Sequence, residues 1–149
     1  MSRSGLGPDM HRVLVPVDDD VDRALAQARY VADLPAAGEA VEATLLFVFT
    51  GDSDDIPAEY RQFKTADRVQ SVRRARDLLE EAGVAVEIRD DSGDTTADIV
   101  RVAGDTDADS IVLGGRKRSP AGKAIFGSTT QSVILNTDRP VVVTGSGED

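Results

Sequence analysis

Five short runs of apolar, largely β-branched residues recur along the chain, with stretches of helical periodicity between them, and this alternation constrains the fold more than any other feature. The runs lie at 11–17 (HRVLVPV), 44–49 (TLLFVF), 84–88 (VAVEI), 110–113 (SIVL) and 140–144 (PVVVT). Runs that are apolar nearly throughout, rather than at every second position, mark strands buried on both faces. Strands alternating with helices through short connections form a parallel sheet covered on both sides, with right-handed crossovers. The expectation is therefore an α/β fold, a five-stranded parallel sheet sandwiched by helices. It occupies one domain over residues 11–145, between a flexible polar arm at 1–10 and a flexible tail at 146–149.

The intervening segments supply the helices. Apolar residues at 21, 24, 25, 28, 31 and 32 predict a helix over 21–34, which Pro35 ends. Val69, Val72, Ala75, Leu78 and Leu79 share one face of a helix over 66–82, with Gly83 placed to cap it. Thr95 or Thr96 is expected to cap a helix running through Ala103, with Asp98 favourable in its first turn. A last helix is expected at 126–135, and 58–65 carries a weaker pattern. In such sheets ligands bind beyond the carboxyl ends of the strands, where strand order reverses. Asp18, Val48 and Gly114 lie at such ends.

Aromatic residues make up only 4% of the chain, so the core must be built from Val, Ile, Leu and Ala. The 149 residues carry a formal charge of −10, from 27 acidic and 17 basic residues. That surface repels nucleic acid and anionic lipid, and neither is expected as a partner. Only three lysines, at 64, 117 and 123, stand among the basic residues. This bias suits a surface adapted to high salt, where repulsion is screened beyond roughly 3 Å; an ordinary acidic cytosolic surface is the other reading. No cysteine is present, which removes disulfides, thiolate nucleophiles and Cys-based metal sites. The longest apolar runs fall far short of the ~20 residues that span a bilayer, and a cytoplasmic location is expected.

Against this acidic background, the stretch LGGRKRSPAGKAIFGSTTQSVI, residues 113–134, stands out. Arg116, Lys117, Arg118 and Lys123 fall within eight positions, including two of the three lysines. Gly114 and Gly115 follow the fourth strand, where bare backbone permits close approach. Gly127, Ser128 and Thr129 sit where a helix begins, so that unpaired amides, the positive end of the helix dipole and two hydroxyls converge. Anion binding is the natural function of such a loop. The alternative is a tight turn with a solvated loop and Ser128 as a helix cap. No G-x-x-x-x-G-K-[ST] sequence occurs, so a P-loop is not indicated.

The same stretch resembles the universal stress protein family, whose nucleotide-binding members carry G-x2-G-x9-G-[ST] after the fourth strand. The resemblance extends over residues 11–144 through VLVPVD, LLFVF, GDTTADIVRVAGDTDADSIVLGG, FGSTTQSVI and RPVVVT. It implies the Rossmann-like five-stranded fold of that family, ATP or AMP as ligand, and a regulatory or sensing role in stress response. It also implies a homodimer formed through the last strand. Carried over by position, Pro16, Val17 and Asp18 border the adenosine and Val48 meets the base. Leu113 and Gly114 open the phosphate loop, and Gly127, Ser128 and Thr129 offer amides and hydroxyls to phosphate. The second glycine of the motif is replaced by Lys117. A lysine takes a positive φ less cheaply than glycine, which would reroute the loop and shut the pocket; equally, its ammonium can lie against phosphate as a point charge. Closure would leave a dimerisation module that acts through protein partners.

Other chemistry is thinly represented. Asp18, Asp19, Asp20 and Asp22 read either as solvated surface or as a carboxylate source for a magnesium ion bridging Asp18 and nucleotide phosphates. His11 begins the first strand, remote from the ligand end. Ser128 has no histidine placed to activate it, so catalysis beyond slow ATP hydrolysis is not expected. Val141, Val142 and Val143 form an apolar strand near the chain's end, an edge that needs cover from another strand or element.

Overall fold

The computed structural model describes residues 10–49, 69–115 and 128–145 of the 149, and of Phe49, Ser92 and Ser128 only the backbone. The arm before Met10, the segment at 58–65, the expected helix start at 66–68, the basic loop at 116–127 and the tail at 146–149 lie outside the described residues.

Alternate side chains of the central strands enter two separate apolar clusters, as a doubly covered sheet requires. From β1 (His11–Pro16), Val13 and Val15 join one cluster and Leu14 the other. β2 (Val41–Phe49) sends Val41, Ala43 and Leu45 to the first and Leu46 to the second. On the first face lie α1 (Val21–Ala32), through Ala24, Ala28 and Val31, and α3 (Gln70–Glu81), through Val72, Ala75 and Leu79. On the second lie α4 (Thr95–Asp105), through Ile99, Val102 and Ala103, and α5 (Ser128–Asn136), through Val133. A four-residue helix, α2 (Ala37–Ala40), leads into β2.

With β3 (Ala85–Ser92), β4 (Ser110–Gly114) and β5 (Val141–Thr144), the sheet has the order β3-β2-β1-β4-β5, every pairing parallel. The five strands and flanking helices expected from the sequence are all present among the described residues. The chain builds outward from β1 through β2 to β3, then crosses back to lay β4 on the other side of β1. The reversal therefore falls between β1 and β4, the place where such sheets open a crevice.

The register shows how that crevice opens. β1 follows β2 from His11↔Val41 to Pro16↔Leu46, but pairs with β4 only at Val13↔Ser110 and Leu14↔Ile111. Beyond Leu14 the two strands part, and the fully buried Gln27 of α1 spans the gap. Its Nε2 donates to the Pro16 carbonyl at 2.6 Å and to the Val112 carbonyl at 3.0 Å. One side-chain amide thus replaces part of a ladder and satisfies two carbonyls that burial would otherwise penalise.

Several boundaries differ from the sequence expectation for identifiable reasons. β2 starts at Val41 rather than 44, because Glu42 interrupts the apolar run yet is accommodated by Arg12, whose Nε lies 3.1 Å from Glu42 Oε1. β3 runs on through charged residues to Ser92, since as an edge strand it leaves room for them. α1 ends at Ala32, two residues before the expected limit, with Asp33 as its cap. α4 is capped by Asp94, not Thr95 or Thr96: the Asp94 carboxylate accepts the Ala97 amide at 3.0 Å, which makes Thr95 the first helical residue. Asp98 lies in the first turn as expected. Gly83 follows the C-cap of α3 at φ +85°, where a Cβ would also fall 3.2 Å from the Gly38 Cα.

Replacing Gln27 by leucine leaves the Pro16 and Val112 carbonyls without their donor, and a loss of about 2 kcal/mol or more is expected. Urea titration checks this; a loss below about 0.5 kcal/mol would show that the strands do not need the amide. Gly83→Ala is expected to cost about 1 kcal/mol from the positive φ alone, read as a lowered unfolding midpoint.

Candidate functional site

Beyond the point where β1 and β4 separate lies a cleft of about 320 Å³, within the range typical of small-molecule sites, about 300–1,000 Å³. Pro16, Val17, Asp18 and Asp19 form one wall, where β1 turns towards α1. Leu46, Phe47 and Val48 contribute from β2, Leu113 and Gly114 from β4. Thr95 and Ile99 close it from α4, Thr129 and Thr130 from α5. The lining joins apolar side chains with hydroxyls, carboxylates, the Gln27 amide and the Arg23 guanidinium.

Of the residues singled out from the sequence, Pro16, Val17, Asp18, Val48, Leu113, Gly114 and Thr129 meet in this one cleft. Ser128 opens α5, but its side chain is outside the description, as are Lys117 and Gly127 altogether. Gln27, Arg23, Ser71, Thr95, Ile99 and Thr130 were not anticipated. Thr95 and Ile99 were legible only as helix residues, and nothing in their spacing marks the face that meets the cleft.

The turn after β1 is fixed from several directions. Asp20 caps α1 by accepting the Arg23 amide at 2.9 Å, and Asp18 accepts the Asp20 amide at 3.0 Å. The buried Ser71 hydroxyl, from the first turn of α3, donates to the Asp18 carbonyl at 2.5 Å. Asp20 therefore acts as a helix cap and Asp18 as a turn former. Among the described residues no group of three or more His, Cys, Asp or Glu is placed to hold a metal ion. His11, at the opposite end of β1, is exposed and lies 3.9 Å from Asp109.

Both glycines at the end of β4 are required by packing. A Cβ on Gly114 would overlap the Arg23 side-chain stem and sit 3.2 Å from Gln27 Oε1. A Cβ on Gly115 would fall 2.5 Å from the Thr144 carbonyl oxygen. The Gly115 amide donates to that oxygen at 2.8 Å and its carbonyl accepts from Arg23 Nε at 3.3 Å, so Gly115 extends the β4–β5 connection. The sequence reading treated both glycines as open backbone for a ligand, and for Gly115 that is corrected: its amide is already engaged.

The far wall is held by Arg101 of α4, which joins Asp98 at 2.9 Å and Asp91 at the end of β3. The hydrogen bonds that Arg101 donates to Asp98 and then to Asp91 raise its pKa above the ordinary value, so this cation keeps its charge throughout. It ties α4 to the sheet beside Thr95 and Ile99. Among the described residues no helix is long and apolar enough to cross a membrane.

Comparison with known proteins places these features in a family. The family model of the universal stress protein family matches residues 10–145. A universal stress protein of Mycolicibacterium smegmatis is 37% identical over 65 residues, covering 43% of this chain; the match spans about half the length of that relative. A universal stress protein from Archaeoglobus fulgidus superposes with a TM-score of 0.68 at 29% identity, over 89% of this chain and 97% of that one. A structure of a universal stress protein from Archaeoglobus fulgidus in complex with dAMP gives a TM-score of 0.63 at 25% identity, over 89% of this chain and 96% of that one. The fold and a family match that runs through all the described residues lead to one conclusion: the chain belongs to the universal stress protein family.

Proposed function

We propose that this chain binds an adenine nucleotide, ATP or AMP, in the cleft between β1 and β4, and that binding serves a regulatory or sensing role in stress response in the cytoplasm. The supporting observation is the convergence of Pro16, Val17, Asp18, Val48, Leu113, Gly114 and Thr129 on one cleft at the strand reversal. The dAMP complex of the Archaeoglobus fulgidus relative supports the same ligand class. In this reading Val48 meets the base and Pro16, Val17 and Asp18 border the nucleoside. Gly114, Gly127, Ser128 and Thr129, with Lys117 as a point charge, face the phosphates. Magnesium, when the nucleotide carries it, would take its oxygens from phosphate and from the Asp18 carboxylate.

A second reading is favoured by one observation: packing alone accounts for Gly114 and Gly115. Those glycines would then mark a closed turn, and the chain would be a non-binding dimerisation module working through protein partners. In either reading the homodimer forms through β5. That strand lies at the sheet edge with Val141, Val142 and Val143 only half-buried, and Leu135 of α5 is 83% exposed.

Calorimetric titration of ATP and AMP into the chain with magnesium separates the readings. Saturable heat is expected, and Val48→Asp, which puts a charge on the apolar wall, is expected to weaken affinity at least about tenfold. Flat titrations with both nucleotides would favour the second reading. Sedimentation is expected to show a dimer at micromolar concentration; monomer alone would remove the β5 interface.

A further inference from the structure

Arg23 stands where the nucleoside wall meets the β4 turn. Its stem lies flat on Gly114, its Nε–H donates to the Gly115 carbonyl at 3.3 Å, and its Nη1 meets the Asp18 carboxylate. Nη2 is 3.8 Å from Asp20 Oδ2. The side chain lines the cleft and is 28% exposed. It comes from the first turn of α1, so the guanidinium is carried by a rigid element rather than a loop.

We infer that Arg23 is the residue that selects a phosphorylated ligand over a bare nucleoside in this cleft, exchanging Asp18 for a phosphate oxygen pair. The inference rests on the nucleotide reading above and adds a specificity-determining cation to it.

Two acceptors compete for the Arg23 fork. The bond to the Gly115 carbonyl and the contact of the stem with Gly114 locate the guanidinium whether or not Asp18 is engaged. A half-exposed carboxylate such as Asp18 gains little from pairing in water, because solvent screens it and solvates it well when released. A phosphate arriving in the cleft brings more charge and a geometry that a guanidinium fork matches with two parallel hydrogen bonds. The fork that leaves Asp18 therefore gains a stronger acceptor, and Asp18 is freed towards the nucleoside it borders. A neutral nucleoside offers Arg23 no such replacement, so it must either leave the Arg23–Asp18 pair in place or break it without compensation. Discrimination follows from the same pair in both cases.

Adenosine, AMP and ATP titrated calorimetrically into the full chain at one ionic strength test this, using the unaltered protein, Arg23→Met and Arg23→Lys. The unaltered protein is expected to hold AMP at least about tenfold tighter than adenosine. Arg23→Met, which keeps a stem of similar bulk on Gly114, is expected to weaken AMP and ATP by about ten- to a hundredfold while adenosine changes by less than about threefold. Arg23→Lys, which keeps the charge and loses the fork, is expected to fall between, and it serves alone if the methionine variant does not fold. Equal weakening of adenosine and AMP would reduce Arg23 to a packing residue and overturn the inference, as would unchanged AMP affinity, with the nucleotide reading left standing in both cases. Absence of binding by all three ligands to the unaltered protein would overturn the reading and the inference together.

Discussion

The architecture turns on one amide. Where β1 and β4 separate, the sheet loses ladder hydrogen bonds in its buried middle, and a gap there is tolerable only if the carbonyls on its two lips find a donor. Gln27 supplies it to both Pro16 and Val112 from the face of α1. The cleft exists because the strands part, and the strands can part because a buried polar side chain bridges them. A hydrophobic residue at that position would pack as well and leave two carbonyls unpaired.

The same helix carries the next consequence. One turn before Gln27, Arg23 lies across Gly114, so the glycine serves the packing of α1 on β4 at least as directly as it serves any ligand. Ser71 holds the Asp18 carbonyl from α3, and Asp20 caps α1 beside it. The first wall of the cleft is therefore a rigid joint among β1, α1 and α3. Its second wall is α4, packed on the sheet through Ile99, Val102 and Ala103, with Arg101 bridging the helix to the end of β3.

Much of this was legible in the sequence, and the remainder was hidden for definite reasons. Continuous apolar runs identified β1, β2 and β4, because two-sided burial leaves that signature whatever the partners are, whereas β3 was located from a shorter run in which Val86 and Ile88 alternate with exposed residues. The helices followed from the 3.6-residue spacing of their apolar faces. Pro16, Asp18, Val48 and Gly114 were locatable because they sit at strand ends, which the runs themselves mark. Gln27 was not, since a glutamine on a helix reads as solvent-facing until the strand carbonyls above it are known. Arg23 was concealed among surface charges for the same reason. Asp94 was overlooked as a cap because two threonines follow it, and capping depends on backbone dihedrals that sequence only suggests. Glu42 obscured the beginning of β2 because its partner, Arg12, is thirty residues away.

The two borders of the sheet are chemically unlike. β3 presents Glu87, Arg89, Asp90 and Asp91 along one border, while β5 presents three valines and a threonine along the other. A chain with two adhesive borders could add copies without limit; charge on an outer strand blocks that growth. If copies pair edge to edge through β5 as proposed above, that pairing closes at two copies related by a twofold axis, and the charges of β3 keep the other border of the described sheet out of it.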